Sequence, residues 1–156
     1  ILLGNDKIRF LIYGDGIDRE YLEEYCAQKE ISNVLFKNKW IPLRNVPYVL
    51  SQSSLNIMNY QKGFGNYGIS SGKLFQYLAS GKPICSNTKM NYCLIEKYLL
   101  GVAKDFETPQ EYAEAILSIA TLDEASYTAI CYRVLEVAKE FDYKVLSDRL
   151  LKAIGM

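Results

Sequence analysis

Short apolar runs alternate with amphipathic stretches along this chain, and the alternation assigns the elements. Residues 8–13 (Ile-Arg-Phe-Leu-Ile-Tyr) form a mostly apolar, β-branched and aromatic run ending at Gly14, which suits a strand buried on both faces. From 17 to 30 acidic and apolar positions mix, with Tyr21, Leu22, Tyr25 and Cys26 at helical spacing. Further strands are predicted at 33–37, 54–60, 83–86 and 101–103. Helices are predicted at 46–53, with Pro47 in the first turn, at 92–99, 109–121, 124–140 and 143–154. Thr108-Pro109-Gln110-Glu111 is a helix start, with threonine as cap, proline at the first position and glutamate at the third. Strands alternating with helices imply an α/β fold, a parallel sheet with helices on both faces. No repeat, low-complexity tract or linker interrupts it, so a single domain is expected over 1–156.

Composition narrows the classes. Hydrophobic residues make up 49% and charged residues 23% of the 156, a globular composition. Lysine plus arginine equals aspartate plus glutamate at 18 each, which argues against a nucleic-acid binder working through bulk charge. The chain has no histidine, which excludes histidine triads and histidine-ligated zinc within it. Cys26, Cys85, Cys93 and Cys131 show no paired short spacing, and buried free thiols in a reducing compartment are expected. No apolar stretch approaches the ~20 residues of a membrane span, and no signal peptide is visible, so a cytoplasmic location is expected. The opening Ile1-Leu2-Leu3 before Gly4 reads as the last turn of a helix whose body is missing, and a fragment of something longer is expected.

Three loops lie where ligands of parallel sheets bind, at the carboxyl ends of strands. In the first, Gly14-Asp15-Gly16-Ile17-Asp18, the alternatives are backbone amides presented to a ligand and a plain turn with Asp15 or Asp18 capping the helix. In the second, Lys37-Asn38-Lys39-Trp40-Ile41-Pro42, asparagine tolerates left-handed angles, so a sharp turn fits at Asn38. Trp40 either lies beside a flat ligand or packs on its own domain. The third runs from Gln61 to Gly72 and is rich in glycine, which costs backbone entropy on ordering and suits close approach to a ligand. The amides of Ser70, Ser71, Gly72 and Lys73 open the next helix, where the dipole favours an anion. Lys73 is a cation in a first turn, ordinarily an unfavourable place, and a bound diphosphate makes sense of it. Gln76 shares a helix face with Lys73 and reads either as a sugar contact or as a solvated residue.

These residues carry a resemblance. Phe10-Leu11-Ile12-Tyr13-Gly14-Asp15-Gly16, Asn33-Val34-Leu35-Phe36, Val46-Pro47-Tyr48-Val49-Leu50 and Tyr67-Gly68-Ile69-Ser70 lead to Lys73-Leu74-Phe75-Gln76-Tyr77-Leu78-Ala79-Ser80-Gly81-Lys82-Pro83-Ile84, then Leu94-Ile95-Glu96 and Phe141-Asp142-Tyr143. In that order the chain resembles the carboxy-terminal, Rossmann-like domain of the retaining GT-B glycosyltransferases of family 4. The tyrosine-glycine-isoleucine-serine lead-in resembles the bacterial surface-polysaccharide branch. The resemblance implies a domain that holds a UDP- or GDP-linked sugar, with no cofactor and no metal. Gly14, Asp15 and Gly16 would form the first loop of that site and Lys39, Trp40 and Ile41 would border the base. Gly68, Ile69, Ser70, Ser71, Gly72 and Lys73 would meet the diphosphate, and Gln76 would face the ribose. It also implies an acceptor-binding domain across a cleft, through which any contact with the inner face of a membrane would run.

The chain departs from the family pattern in three ways. Of two family glutamates separated by seven residues, the positions here are Gly68 and Gln76, so a neutral amide replaces the acidic ribose ligand. Asn38 stands at a usual glycine. The strand carrying the family's phosphate-clamping arginine and lysine would lie before Ile1, so the isolated chain is expected to be inactive. Two other readings compete with this one. One is a GT-B nucleotide-sugar epimerase, disfavoured by the lack of histidine; the other is a non-catalytic nucleotide-binding module, favoured by Gln76.

Overall fold

The structure, a computed structural model, describes residues 2, 5–61, 71–90 and 92–155. The chain divides into two compact units, Ile1–Val46 and Pro47–Met156.

In the first unit, strand β1 (Phe10–Ile12) pairs in parallel with β2 (Val34–Phe36), Phe10 opposite Val34 and Ile12 opposite Phe36, and helix α1 (Arg19–Gln28) connects them. Buried Asn33 fixes the entry to both strands. Its side-chain amide donates to the carbonyls of Leu2 at 2.8 Å and Ile8 at 3.1 Å, while its own carbonyl accepts from the Phe10 amide at 2.8 Å. The expected burial of β1 on both faces does not hold. Leu11 is 48% and Ile12 38% exposed, and α1 contains no buried residue. The apolar pattern located the strand, but two strands and one helix supply too few layers to cover it.

In the second unit, β3 (Asn56–Met58), β4 (Ile84–Ser86) and β5 (Gly101–Ala103) form a parallel sheet in that order, with Ile57, Cys85 and Val102 in register. Helices α3 (Gly72–Ser80), α4 (Leu94–Lys97), α5 (Pro109–Ala120), α6 (Glu124–Glu140) and α7 (Tyr143–Ala153) flank and follow the strands; α2 (Val46–Ser51) precedes β3. The core brings Met58, Ile84 and Leu100 of the strand layer against Leu78 of α3 and Val134 and Val137 of α6. Thr108 caps α5 as its sequence implies, its hydroxyl accepting from the Glu111 amide at 3.2 Å with Pro109 in the first turn. Helix α3 stops at Gly81, whose φ of 68° is left-handed. A Cβ there would lie 2.8 Å from the Leu135 side chain of α6, so the same glycine also allows the two helices to pack closely.

Two expectations are corrected here. The helix expected over 92–99 is only Leu94–Lys97, because Leu99 takes a left-handed φ of 55° and turns the chain into β5. All four cysteines are free, but only Cys85 is buried, while the other three are half-buried. Those three sit on helix flanks or loop ends, whereas Cys85 lies mid-strand, where burial pushes its thiol up to about 12. Parallel strands in sheets flanked by helices bear out the Rossmann-like α/β class. No helix among the described residues is long and apolar enough to cross a membrane.

Candidate functional site

The strongest candidate in the second unit is the start of α3. Ser71 precedes the helix in an extended conformation, φ −85° and ψ 122°, and its hydroxyl makes no capping bond. The starts of the longer helices α5, α6 and α7 behave differently, whereas short α4, like α3, has no side-chain cap at Cys93. Thr108, Asp123 and Asp142 each accept a first-turn amide, at 3.2, 2.9 and 2.8 Å. The start of α3 therefore keeps the electropositive character that a side-chain cap would offset. Gly72 is exposed, and a Cβ there would meet nothing within 4 Å, so packing gives no reason for glycine at this point. Lys73 is exposed and, among the described residues, joins no ion pair. Gln76, one turn further on, is half-buried.

Side chains that the sequence did not single out fix the chain where it leaves β3. Asn87 substitutes for a ladder partner, donating to the Tyr60 carbonyl at 2.9 Å and accepting from the Tyr60 amide at 2.8 Å. The Tyr112 hydroxyl donates to the Asn59 side chain at 2.6 Å, and the Tyr77 hydroxyl donates to the Ile57 carbonyl at 3.0 Å. Burial raises both phenols above their ordinary value, and for Tyr77 the nearby Tyr60 adds to the rise. Their sequence signal is weak, since each partner lies 20 or more residues away. Gly68, Ile69 and Ser70 fall outside the described residues.

In the first unit the two strand-end loops come together. Gly14 has a φ of 120°, open to glycine and strained for other residues. Its amide donates to the Asn38 carbonyl at 3.2 Å, extending the β1–β2 pairing. That pairing corrects the expectation for Asn38: the only described non-glycine residues with positive φ are Glu30 and Leu99, so the extended ladder leaves no left-handed turn there. Arg19 donates to the carbonyls of Gly14 and, at 2.8 Å, Lys37, and its guanidinium lies 5.5 Å from the Phe36 ring centre. Sequence reasoning passed over Arg19, although its spacing to Glu23, with which it pairs at 2.7 Å, was a visible signal.

Neither aspartate caps α1. Asp18 makes no capping bond with its side chain, and Asp15 accepts from its neighbour Gly16 at 3.1 Å and pairs with Lys39 at 3.5 Å. Asp15, Gly16, Ile17, Glu20 and Lys39 line an open hollow. Trp40 is 75% exposed, so it is not packed against its own unit, and Ile41 is half-buried.

No protein-family model and no curated protein matches the chain. Solved structures do match. Among them is the crystal structure of AviGT4, a glycosyltransferase involved in avilamycin A biosynthesis, at a TM-score of 0.53 and 16% sequence identity. The match covers 85% of this chain and 42% of that one, so the chain spans less than half the length of the solved protein. At that identity the likeness is one of fold alone, to part of a glycosyltransferase.

Proposed function

We propose that the chain is the donor-binding domain of a retaining GT-B glycosyltransferase of family 4. It would hold a UDP- or GDP-linked sugar for transfer of a glycosyl group to a polysaccharide or lipid-linked acceptor. The observation that carries this reading is the start of α3, an uncapped helix end with an exposed glycine and a lysine that joins no ion pair among the described residues, on a fold similar to that of a glycosyltransferase. Ser71, Gly72 and Lys73 supply amides and a cation to the diphosphate, which offsets the lysine's unfavourable place beside the helix dipole. Gln76 faces the ribose with a neutral carbonyl. In the first unit, Gly14 to Gly16 and Lys39 to Ile41 are proposed as donor contacts in their own right, with exposed Trp40 as the stacking surface for a base.

Transfer itself is proposed for a protein in which this domain is joined to an acceptor-binding one, since the chain spans 42% of its structural neighbour. A bacterial role in surface polysaccharide assembly at the inner face of the membrane belongs to the same proposal. Calorimetry against nucleoside mono- and diphosphates tests it. UDP or GDP should bind more tightly than the monophosphate, and Gln76→Glu should tighten binding through a stronger acceptor for the ribose hydroxyls. No binding of any diphosphate overturns the reading.

A further inference from the structure

A cavity of about 370 Å³ adjoins the start of α3 in the second unit, with Ser71 in its wall beside Met58 and Ser86, the last residues of β3 and β4. Thr88 lines it as well. Thr88 is 2% exposed, yet its hydroxyl makes no hydrogen bond among the described residues. A buried hydroxyl without a partner lowers stability, and such a group marks a place that a ligand or an ordered water completes. The Ser86 hydroxyl holds the backbone of Thr88, donating to its carbonyl at 3.0 Å and accepting from its amide at 3.2 Å. The unpartnered hydroxyl is therefore positioned before anything binds.

The rest of the described lining has a different chemistry. Met58, Leu74, Phe75, Met90, Ile95 and Phe141 contribute apolar surface, and no aspartate, glutamate, lysine or arginine is among the described wall residues. A carboxylate placed here would lose water without gaining a cation. A plain hydrocarbon would cover the walls but leave the Thr88 hydroxyl unpaired. A neutral group with much C–H surface and few hydroxyls suits both features, apolar walls with one placed polar group.

We propose that the cavity seats the glycosyl group of the donor and selects a neutral 6-deoxy sugar, with Thr88 fixing one of its hydroxyls. The inference deepens the transferase reading and rests on it. A diphosphate at the amides of Ser71 to Lys73 brings the group bonded to it to the adjoining cavity. The arm of a 6-deoxy sugar ends in a methyl group, which thioether and aromatic walls accept. The same arm ending in a hydroxyl or a carboxylate needs a further partner that the described walls lack.

Calorimetry of the native protein first compares UDP with GDP, then adds the sugars on the base that binds. The series is UDP-6-deoxyglucose, UDP-glucose and UDP-glucuronate, or GDP-6-deoxymannose, GDP-mannose and GDP-mannuronate. The 6-deoxy donor should bind about tenfold more tightly than the hexose donor, as for one polar change in an apolar pocket, and the uronate most weakly. Thr88→Val removes the hydroxyl and should weaken the 6-deoxy donor about tenfold, the loss falling on the sugar and not on the bare diphosphate. Thr88→Ser should restore the lost affinity. The urea midpoint of Thr88→Val should not fall, because the hydroxyl has no partner to lose among the described residues.

Affinity for the hexose or uronate donor equal to or above that for the 6-deoxy donor overturns the inference. So does a Thr88→Val loss that is absent or shared equally by the bare diphosphate; either result leaves the diphosphate site standing. Binding of neither UDP nor GDP overturns the transferase reading and this inference with it.

Discussion

The two units are built from the same strand–helix–strand pattern, yet only one of them buries it. In the second unit Ile84, Cys85, Leu100 and Val134 are fully buried, and Met58 and Leu78 are nearly so. In the first, Leu11, Ile12, Leu22 and Tyr25 remain 38–48% exposed and α1 buries nothing. The strands are comparably apolar, but α1 is more polar and less amphipathic than α3. Three strands with α3 and α6 against them enclose a core, whereas two strands and a single helix do not. Periodicity reports where an element lies and which side is apolar, and the number of layers decides how much of that side leaves water.

Truncation should separate the units most sharply. Leu78→Ala removes a fully buried side chain between α3 and the sheet and should cost about 2–5 kcal/mol. Leu11→Ala should cost well under that, because half the side chain is already hydrated. Urea unfolding of both variants checks this, and equal losses would erase the contrast.

The buried asparagines give a finer comparison. Asn56 donates to the Ser80 hydroxyl at 2.8 Å and accepts from Ser53 at 2.9 Å, while Asn33 serves backbone carbonyls of the first unit. Asn56→Ala removes two side-chain bonds, leaving the Ser53 and Ser80 hydroxyls only the Leu50 and Tyr77 carbonyls, and at about 0.5–1.5 kcal/mol per bond should cost about 1–3 kcal/mol. In hydrogen exchange its effect should fall on β3 and α3, and that of Asn33→Ala on β1 and β2. Effects spread over both units in either variant would contradict the division.

A smaller effect follows from Cys85. Its native thiol titrates at about 12 against an ordinary 9.0, so the unfolded chain loses its proton first. The associated stability is complete below pH 9 and declines as the pH rises toward 12. Half-buried Tyr77 and Tyr112 act with the same sign. Cys85→Ala should flatten the alkaline decline measured by thermal unfolding, and an unchanged slope would remove the thiol from the account.

The fold was legible because local signals and tertiary outcome agree. Thr108-Pro109 opens α5, Gly81 closes α3, and each predicted strand appears, that at 101–103 with its predicted bounds and the other four shortened to three residues. What the sequence did not show depended on distant partners. Asn87 completes the ladder for Tyr60 only because β4 ends beside β3, and Arg19 bridges Gly14 and Lys37 only because β1 pairs with β2. Asn38 has the side chain for a left-handed turn, but the Gly14 hydrogen bond holds it in the ladder. At the site, Gly72 and Lys73 could be picked out from residue type alone, whereas the bare hydroxyl of Ser71 is a matter of geometry.

The central claim is that the start of α3 holds a nucleoside diphosphate through its amides and Lys73. Amide resonances followed by NMR during UDP and GDP titrations of the native protein and Lys73→Ala test it most directly. The largest shifts should fall on Ser71 to Lys73, and the variant should bind more weakly by about 1–3 kcal/mol, as for a hydrogen bond to a charged group. Equal affinity in the two proteins, or shifts that leave the start of α3 untouched, would contradict it.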